Sequence, residues 1–213
     1  MYVYYCNTIL KSTMNTRSDK EIIRAFTSFT TDFNSCGINP GFYFVDNEES
    51  AALKMAMTTM YISYQLVPPS KHRPNNSDKS IQTFKNHFIA VLCSVDENFH
   101  LQLWEILLQQ ATITMNLLRK SRIHSHLLAY THIFGEFDYN CTRLAPPGTK
   151  VVIHNMPKDI TSWEPYGGLS WYIVPAMKHY RVNKAYTPIT RAERILETLE
   201  FTPGNLACQK FHL

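Results

Sequence analysis

Residues 42–50 of the chain read FYFVDNEES. The first four side chains, Phe42 to Val45, are aromatic or β-branched, which predicts a short strand packed on both faces. The next four, residues 46–49, are carboxylates and one amide, which cannot be buried without partners. Either the strand simply reaches the surface at Asp46, where Asp46 and Asn47 cap the following helix, or the chain presents a carboxylate at the strand end.

Strands and helices alternate around this stretch. Ser18 and Glu21 form a capping box, and Gly37 ends the apolar helical spacing that follows them. Two parallel strands have to be joined by a long crossover, which is usually a helix, and helices lie between the strands here. The pattern therefore predicts an α/β domain with a partly parallel sheet. The predicted elements are strands at 2–5, 7–10, 42–45 and 61–67, and helices between Ser18 and Gly37, at about 49–60, at about 76–93 and at about 99–119.

Composition limits the class of protein. The 213 residues are 45% apolar, which excludes a disordered chain. Lys and Arg exceed Asp and Glu by 21 to 17, which permits an anionic partner such as nucleic acid without requiring one. The five cysteines form no C-x-x-C pair, which predicts neither a zinc site nor a disulfide framework. With no long apolar run and no signal peptide, we expect an intracellular protein of the nucleus or cytoplasm, with no membrane partner.

The predicted helix at 76–93 carries two stripes. Its apolar stripe, predicted to face the core, consists of Ile81, Phe84, Phe88 and Leu92. At 100° per residue, Asp78, Gln82 and Lys85 share a second edge. The helix at 99–119 ends in RKSRIHSH (119–126), either a basic patch or a solvated helix end with favourable dipole charge.

The sequence changes character at LAPPG (144–148), which indicates a domain boundary. Short β-prone segments separated by Pro and Gly follow, which is typical of a small all-β module. RILETLEF (194–201) is either a strand or a helical turn. Within 147–194, seven Lys or Arg oppose three acids, which suits a basic barrel that binds nucleic-acid backbone or ordinary surface charge.

In combination, FVDNEES, PPSKHRPNNSDKS (68–80) and IQTFKNH resemble the integrase region of a copia-type retrotransposon, over most of residues 1–203. The resemblance implies an N-terminally truncated ribonuclease H-like core at 1–143, a small Src-homology-3-like β-barrel at 144–203 and a tail at 204–213. It also implies a DDE-type polynucleotidyl transferase, in which two Asp and one Glu hold two Mg²⁺ or Mn²⁺ ions for DNA strand transfer.

Carried over by position, Asp46 is the second carboxylate and Asp78 replaces the Glu, so both are candidate catalytic and metal-binding residues. Asp is one methylene shorter than Glu, and the first Asp has no counterpart here, since Asp19 and Asp32 lie on the predicted first helix. Such a site should bind Mg²⁺ or Mn²⁺ weakly. We therefore expect a degenerate fragment related to DNA integration, without catalysis.

Nucleic-acid binding is the function expected to remain. The resemblance and local charge make Lys71, His72, Arg73, Gln82 and Lys85 candidate nucleic-acid-binding residues, although His72 also fits a solvated loop position. The expected partner is DNA, bound weakly and without sequence preference, and a homo-oligomer is compatible with the sequence. The alternative function is a non-catalytic interaction or nucleic-acid-binding protein that uses the basic barrel. An unrelated α/β enzyme has no Gly-rich phosphate loop, nucleophile elbow or Cys/His pair to support it.

Overall fold

The computed structural model describes residues 1–45, 50–67, 76–154, 163 and 165–202. The chain divides into two compact units. Unit 1 consists of residues 1–81 and 119–135, and unit 2 consists of residues 82–118 and 136–213. Each unit is therefore assembled from two separate stretches of sequence.

The first helix of unit 1 has the caps that the sequence predicts. The Ser18 hydroxyl accepts a hydrogen bond from the backbone N–H of Glu21, and the helix ends before Gly37, whose φ is +74°. The predicted strands and helices are confirmed here with somewhat shorter bounds. The described elements are β1 (Tyr2–Val3), β2 (Thr8–Ile9), α1 (Asp19–Ser35), β3 (Phe42–Val45), α2 (Ala51–Thr59), β4 (Ser63–Leu66) and α5 (Ala129–Phe134). The first turns of helix α3 (Asn76–Cys93) also belong to this unit.

Strands β3 and β4 form a parallel pair, as predicted, in the register Phe42 with Ser63. One face of this pair packs into a core that includes Phe26 and Val45. The other face is largely exposed to solvent, since Phe42 is 53% exposed and Phe44 is 72% exposed. The prediction that 42–45 packs on both faces is therefore wrong, because the described elements cover only one face of the strand.

A second core in unit 1 joins its N-terminal segment to its second stretch of chain. Cys6, Leu10, Phe33 and Ile133 are buried together in this core. Strands β1 and β2 pair antiparallel in a sheet separate from β3 and β4. Helix α5, which supplies Ile133, is not predicted from the sequence, since six residues are too few to show a clear helical period.

Unit 2 is built on a five-stranded antiparallel sheet. The remainder of α3 and a 3₁₀ turn at Leu101–Leu103 lead into α4 (Trp104–Leu118), which lies where the 99–119 helix is predicted. The strands are β5 (Lys150–His154), β6 (Gly167–Pro175), β7 (Asn183–Thr187), β8 (Ala192–Leu196) and β9 (Leu199–Phe201). Their order in the sheet is β8-β7-β6-β5-β9. RILETLEF thus contributes two strands rather than a helical turn.

Buried polar contacts fix α4 to the sheet. The Tyr172 hydroxyl on β6 donates to Gln110 Oε1 on α4 at 2.9 Å, and both side chains are buried. Gln110 Nε2 in turn donates to the backbone oxygen of Ala145. Because each polar atom has a partner, this amide can lie inside the core without a large desolvation cost.

The predicted apolar stripe on α3 is confirmed only in part. Phe88 and Leu92 pack against the cluster of Val95, Phe99 and Leu107 in unit 2. Ile81, however, is 65% exposed, so its predicted place in a core is wrong. Helical spacing identifies a shared face of a helix, but it does not identify where along the helix the packing partner ends.

Among the described residues, the chain is thus a mixed α/β protein with one parallel strand pair, one antiparallel strand pair and one five-stranded antiparallel sheet. The ribonuclease H-like core, the Src-homology-3-like barrel and the ranges 1–143 and 144–203 remain predictions. No helix among the described residues combines the length and the apolar character needed to cross a bilayer.

Candidate nucleic-acid interface

Helix α3 presents the predicted edge of Asp78, Gln82 and Lys85 to solvent. All three side chains are exposed. Asp78 lies in the first turn of α3, where a carboxylate complements the positive end of the helix dipole. A structural role thus accounts for Asp78 without any bound ion.

Four of the predicted site residues, Asp46, Lys71, His72 and Arg73, lie outside the described residues, as does the 204–213 tail. The predicted approach of Asp46 to Asp78 therefore stays a prediction. So does the predicted contribution of the basic loop residues to a phosphate-binding surface beside Lys85.

The described residues alone do not make a magnesium site. Across the described ranges, no group of three or more His, Cys, Asp or Glu side chains is placed to hold a metal ion. A single exposed carboxylate at Asp78 supplies too few oxygen ligands to replace the tightly held waters of Mg²⁺.

Positive charge is distributed unevenly between the two units. The residues of unit 1 include eleven Lys or Arg and seven Asp or Glu, whereas those of unit 2 include ten of each. The whole excess of four positive charges therefore belongs to unit 1. The 147–194 window shows a local excess, but the acidic residues elsewhere in unit 2 offset it.

The basic segment 119–126 is held against the turn between β1 and β2. Arg119 Nε donates to the backbone oxygen of Asn7 at 3.0 Å, and a second Arg119 nitrogen donates to Asn7 Oδ1. Asn7 Nδ2 donates to the Lys120 backbone oxygen at 2.9 Å. The Arg122 backbone N–H donates to the Tyr5 backbone oxygen at 3.0 Å. The segment is therefore a fixed part of unit 1 and more than a solvated helix end.

The stretches of sequence that form this basic part of unit 1 contain no acidic residue. Residues 1–18 and 119–135 hold five Lys or Arg and no Asp or Glu. In the part of the chain that the structure describes, none of Arg119, Lys120 and Arg122 forms an ion pair with a carboxylate. The positive field of these side chains is thus available to an external anion.

Some basic side chains of the unit 2 sheet, by contrast, face acidic partners. Lys184 Nζ lies 3.9 Å from a Glu193 carboxylate oxygen, and His154 Nε2 lies 3.1 Å from Glu200 Oε1. Both pairs are partly exposed and contribute little to stability. They do reduce the positive potential that this sheet offers to a phosphate backbone.

No protein-family model matches the chain, and no curated protein matches it. Among solved structures, the chain is similar to one described as "CryoEM structure of simian T-cell lymphotropic virus intasome in complex with PP2A regulatory subunit B56 gamma". The similarity covers 94% of this chain and 72% of that chain, with 12% sequence identity and a TM-score of 0.38. The chain thus has a distant structural neighbour in a retroviral intasome, and a similarity of this size assigns no activity.

Proposed function

We propose that the chain is a non-catalytic nucleic-acid-binding protein related to retrotransposon integrases. Its relation to integrases rests on the motifs FVDNEES and PPSKHRPNNSDKS, with a ribonuclease H-like core at 1–143 and a small barrel at 144–203 as the proposed architecture. One observation carries the binding function: unit 1 holds the whole positive excess and includes a basic segment, 119–126, whose cations form no ion pair with any carboxylate that the structure describes.

Binding to DNA through these side chains is expected to fall steeply with salt. Each neutralised phosphate of a duplex releases condensed counterions, which contributes about −0.9 to the slope of log affinity against log salt. Replacing the exposed Lys120 by Gln should therefore reduce the slope by about 0.9 and weaken binding to all sequences similarly. Fluorescence anisotropy of a labelled 20-base-pair duplex between about 50 and 200 mM salt measures this.

The matched control for Lys120→Gln is Arg194→Gln, which removes an exposed cation from β8 in unit 2. If unit 1 supplies the contacts, Arg194→Gln leaves both the slope and the affinity unchanged. Larger losses for Arg194→Gln than for Lys120→Gln would instead support the second candidate function, in which the C-terminal barrel binds the nucleic acid. An affinity that does not change with salt would contradict both.

Catalysis is expected to be absent. In-line phosphoryl transfer by two metals needs ligands that hold both ions, and this sequence offers only Asp46 and the shortened Asp78 at the matching positions. The purified chain should therefore neither nick nor join a short duplex in Mg²⁺ or Mn²⁺, and Asp46→Ala should change nothing. Nicking or joining of the duplex that requires Mg²⁺ or Mn²⁺ and disappears in Asp46→Ala would overturn the proposal.

A further inference from the structure

Exposed tyrosines lie beside the basic segment of unit 1. The turn between β1 and β2 exposes half of Tyr4 and 68% of Tyr5 to solvent. Cys6, the next residue, is buried at 3% exposure and anchors the turn in the Phe33 core. The two tyrosine rings are therefore displayed on the surface by a turn that is itself fixed to the core.

Arginine side chains lie over the rings of Tyr2 and Tyr4, and Tyr5 has no such contact among the described residues. The Arg122 guanidinium carbon lies 4.3 Å from the Tyr4 ring centroid and 6.0 Å from that of Tyr2. The Arg119 guanidinium carbon lies 5.7 Å from the Tyr2 centroid. Cation–π contacts of this length position a guanidinium without neutralising its charge. We call the set the tyrosine–arginine surface; its members are Tyr2, Tyr4, Tyr5, Arg119 and Arg122.

Hydrogen bonds keep this surface in one arrangement. The Tyr2 hydroxyl donates to Asn7 Oδ1 at 2.9 Å, and the same amide receives Arg119. Asn7 has a left-handed backbone with φ of 58°, which asparagine tolerates better than most residues. The Thr8 hydroxyl donates to the backbone oxygen of Ala129 at 2.8 Å. These contacts fix Tyr2, Arg119 and the backbone of the turn in advance, which reduces the ordering entropy lost when a ligand binds.

We propose that the tyrosine–arginine surface binds single-stranded nucleic acid, with unpaired bases stacked on Tyr4 and Tyr5 and the backbone phosphates beside Lys120 and Arg122. This inference rests on the proposed nucleic-acid binding and deepens it by naming the class of ligand. Aromatic stacking contributes about 1–3 kcal/mol per base, and a duplex hides its base faces from a tyrosine ring. The exposed rings therefore favour the single strand, and Lys120 and Arg122, which form no ion pair within the described ranges, attract its phosphates.

The angle between the rings adds a structural expectation. Tyr4 and Tyr5 have ring centroids 5.7 Å apart and ring planes at 81°. Bases stacked on both rings cannot also stack on each other, because their planes would be nearly perpendicular. The bound strand should thus turn at this position, which favours a flexible pyrimidine run such as oligo-dT over a stacked purine run.

The test measures binding of the full chain to a fluorescein-labelled 12-nucleotide oligo-dT and to a duplex of the same length at about 100 mM salt. Replacing Tyr5 by Ala should weaken oligo-dT binding about 5- to 150-fold, as expected for one lost stacking contact, and should leave duplex binding unchanged. Arg122→Gln should weaken both and lower both salt slopes. Both side chains are exposed, so the thermal unfolding midpoint should stay at the wild-type value.

Two matched controls come from the same unit. Tyr61→Ala removes a tyrosine that is 96% exposed, and Lys20→Gln removes an exposed cation that stands between two acidic residues, Asp19 and Glu21. Neither should change oligo-dT affinity by more than about twofold, since surface changes away from a binding site are nearly neutral. A Tyr5→Ala loss no greater than that of Tyr61→Ala would overturn the inference.

Failure of the inference can be distinguished from failure of the proposed function. If the chain binds the duplex and oligo-dT equally strongly, and Tyr5→Ala weakens neither, the inference about the tyrosine–arginine surface is wrong. The proposed salt-dependent binding of nucleic acid would still stand. If the chain binds neither oligonucleotide, both the inference and the proposed function are wrong. Equal competition by inorganic polyphosphate and by unlabelled oligo-dT at matched charge would show that charge alone is recognised, which also contradicts the inference.

Discussion

Replacing Gly148 by Ala is expected to destabilise unit 2 by about 2–5 kcal/mol, the sum of a left-handed backbone penalty and an overpacking penalty. Gly148 has φ of +76°, a conformation that residues with a Cβ rarely adopt. A Cβ at this position would lie 2.8 Å from Val95 Cβ and would overlap Val95 Cγ1. Val95 is 4% exposed and has little room to move.

The backbone of Gly148 also leaves no freedom to shift. Its N–H donates to the Tyr172 backbone oxygen at 2.7 Å, and its oxygen accepts from the Asp96 N–H at 3.0 Å. Urea unfolding followed by tryptophan fluorescence measures the loss, and the signal reports on unit 2 because Trp104, Trp163 and Trp171 all belong to its residues.

Two variants test the cause of the Gly148→Ala effect. Gly168→Ala, on β6 of the same unit, adds a Cβ with no atom within 4 Å and should cost almost nothing. Val95→Ala combined with Gly148→Ala should cost less than the sum of the single changes, because the smaller side chain removes the overlap. Unfolding of Gly148→Ala at the wild-type urea concentration would show that this description of the turn is wrong.

Replacing Tyr172 by Ala is expected to lower the free energy of unfolding of unit 2 by about 3–5 kcal/mol, as for other large buried aromatic side chains. Tyr172 is fully buried and packs with Val151, Ile153 and Ala185. Burial raises the pKa of its hydroxyl, so this group stays protonated and donates to Gln110.

The conservative change Tyr172→Phe separates packing from hydrogen bonding. It keeps the ring but leaves Gln110 Oε1 without its donor, which should cost about 1–3 kcal/mol. Tyr166→Ala is the control in the same unit, since Tyr166 is 76% exposed and its loss should stay within about 0.5 kcal/mol. Equal stabilities of the Phe and Ala variants in urea unfolding would contradict the role given to the buried ring.

Local patterns in the sequence were sufficient for most helices and strands. Ser18 and Gly37 bound α1 because capping depends on side chains only a few residues apart. The exposure of Phe42 and Phe44 could not be predicted, since an apolar strand does not reveal which neighbours cover it. The same holds for RKSRIHSH: its contact with Asn7 joins residues more than a hundred positions apart, which no local period reports.

The candidate site could also be predicted from the sequence only where it depends on local helix geometry. Exposure of Asp78, Gln82 and Lys85 along one helix edge follows from helical geometry, and the structure confirms it. The chemistry predicted for this edge also involves Asp46 and residues 71–73, which lie outside the described residues. The positive excess of the 147–194 window does not extend to unit 2 as a whole, because this unit also contains the acidic residues of 82–118, 136–146 and 195–213.

The interleaved course of the chain has a consequence for its synthesis on the ribosome. Residues 119–135 complete unit 1 but are translated only after residues 82–118, which belong to unit 2. Unit 1 therefore cannot finish folding first, as N-terminal domains usually do. The apolar surface around Cys6 and Phe33 stays exposed on the nascent chain until Ile133 has been synthesised, and exposed apolar surface of this kind favours aggregation during that interval.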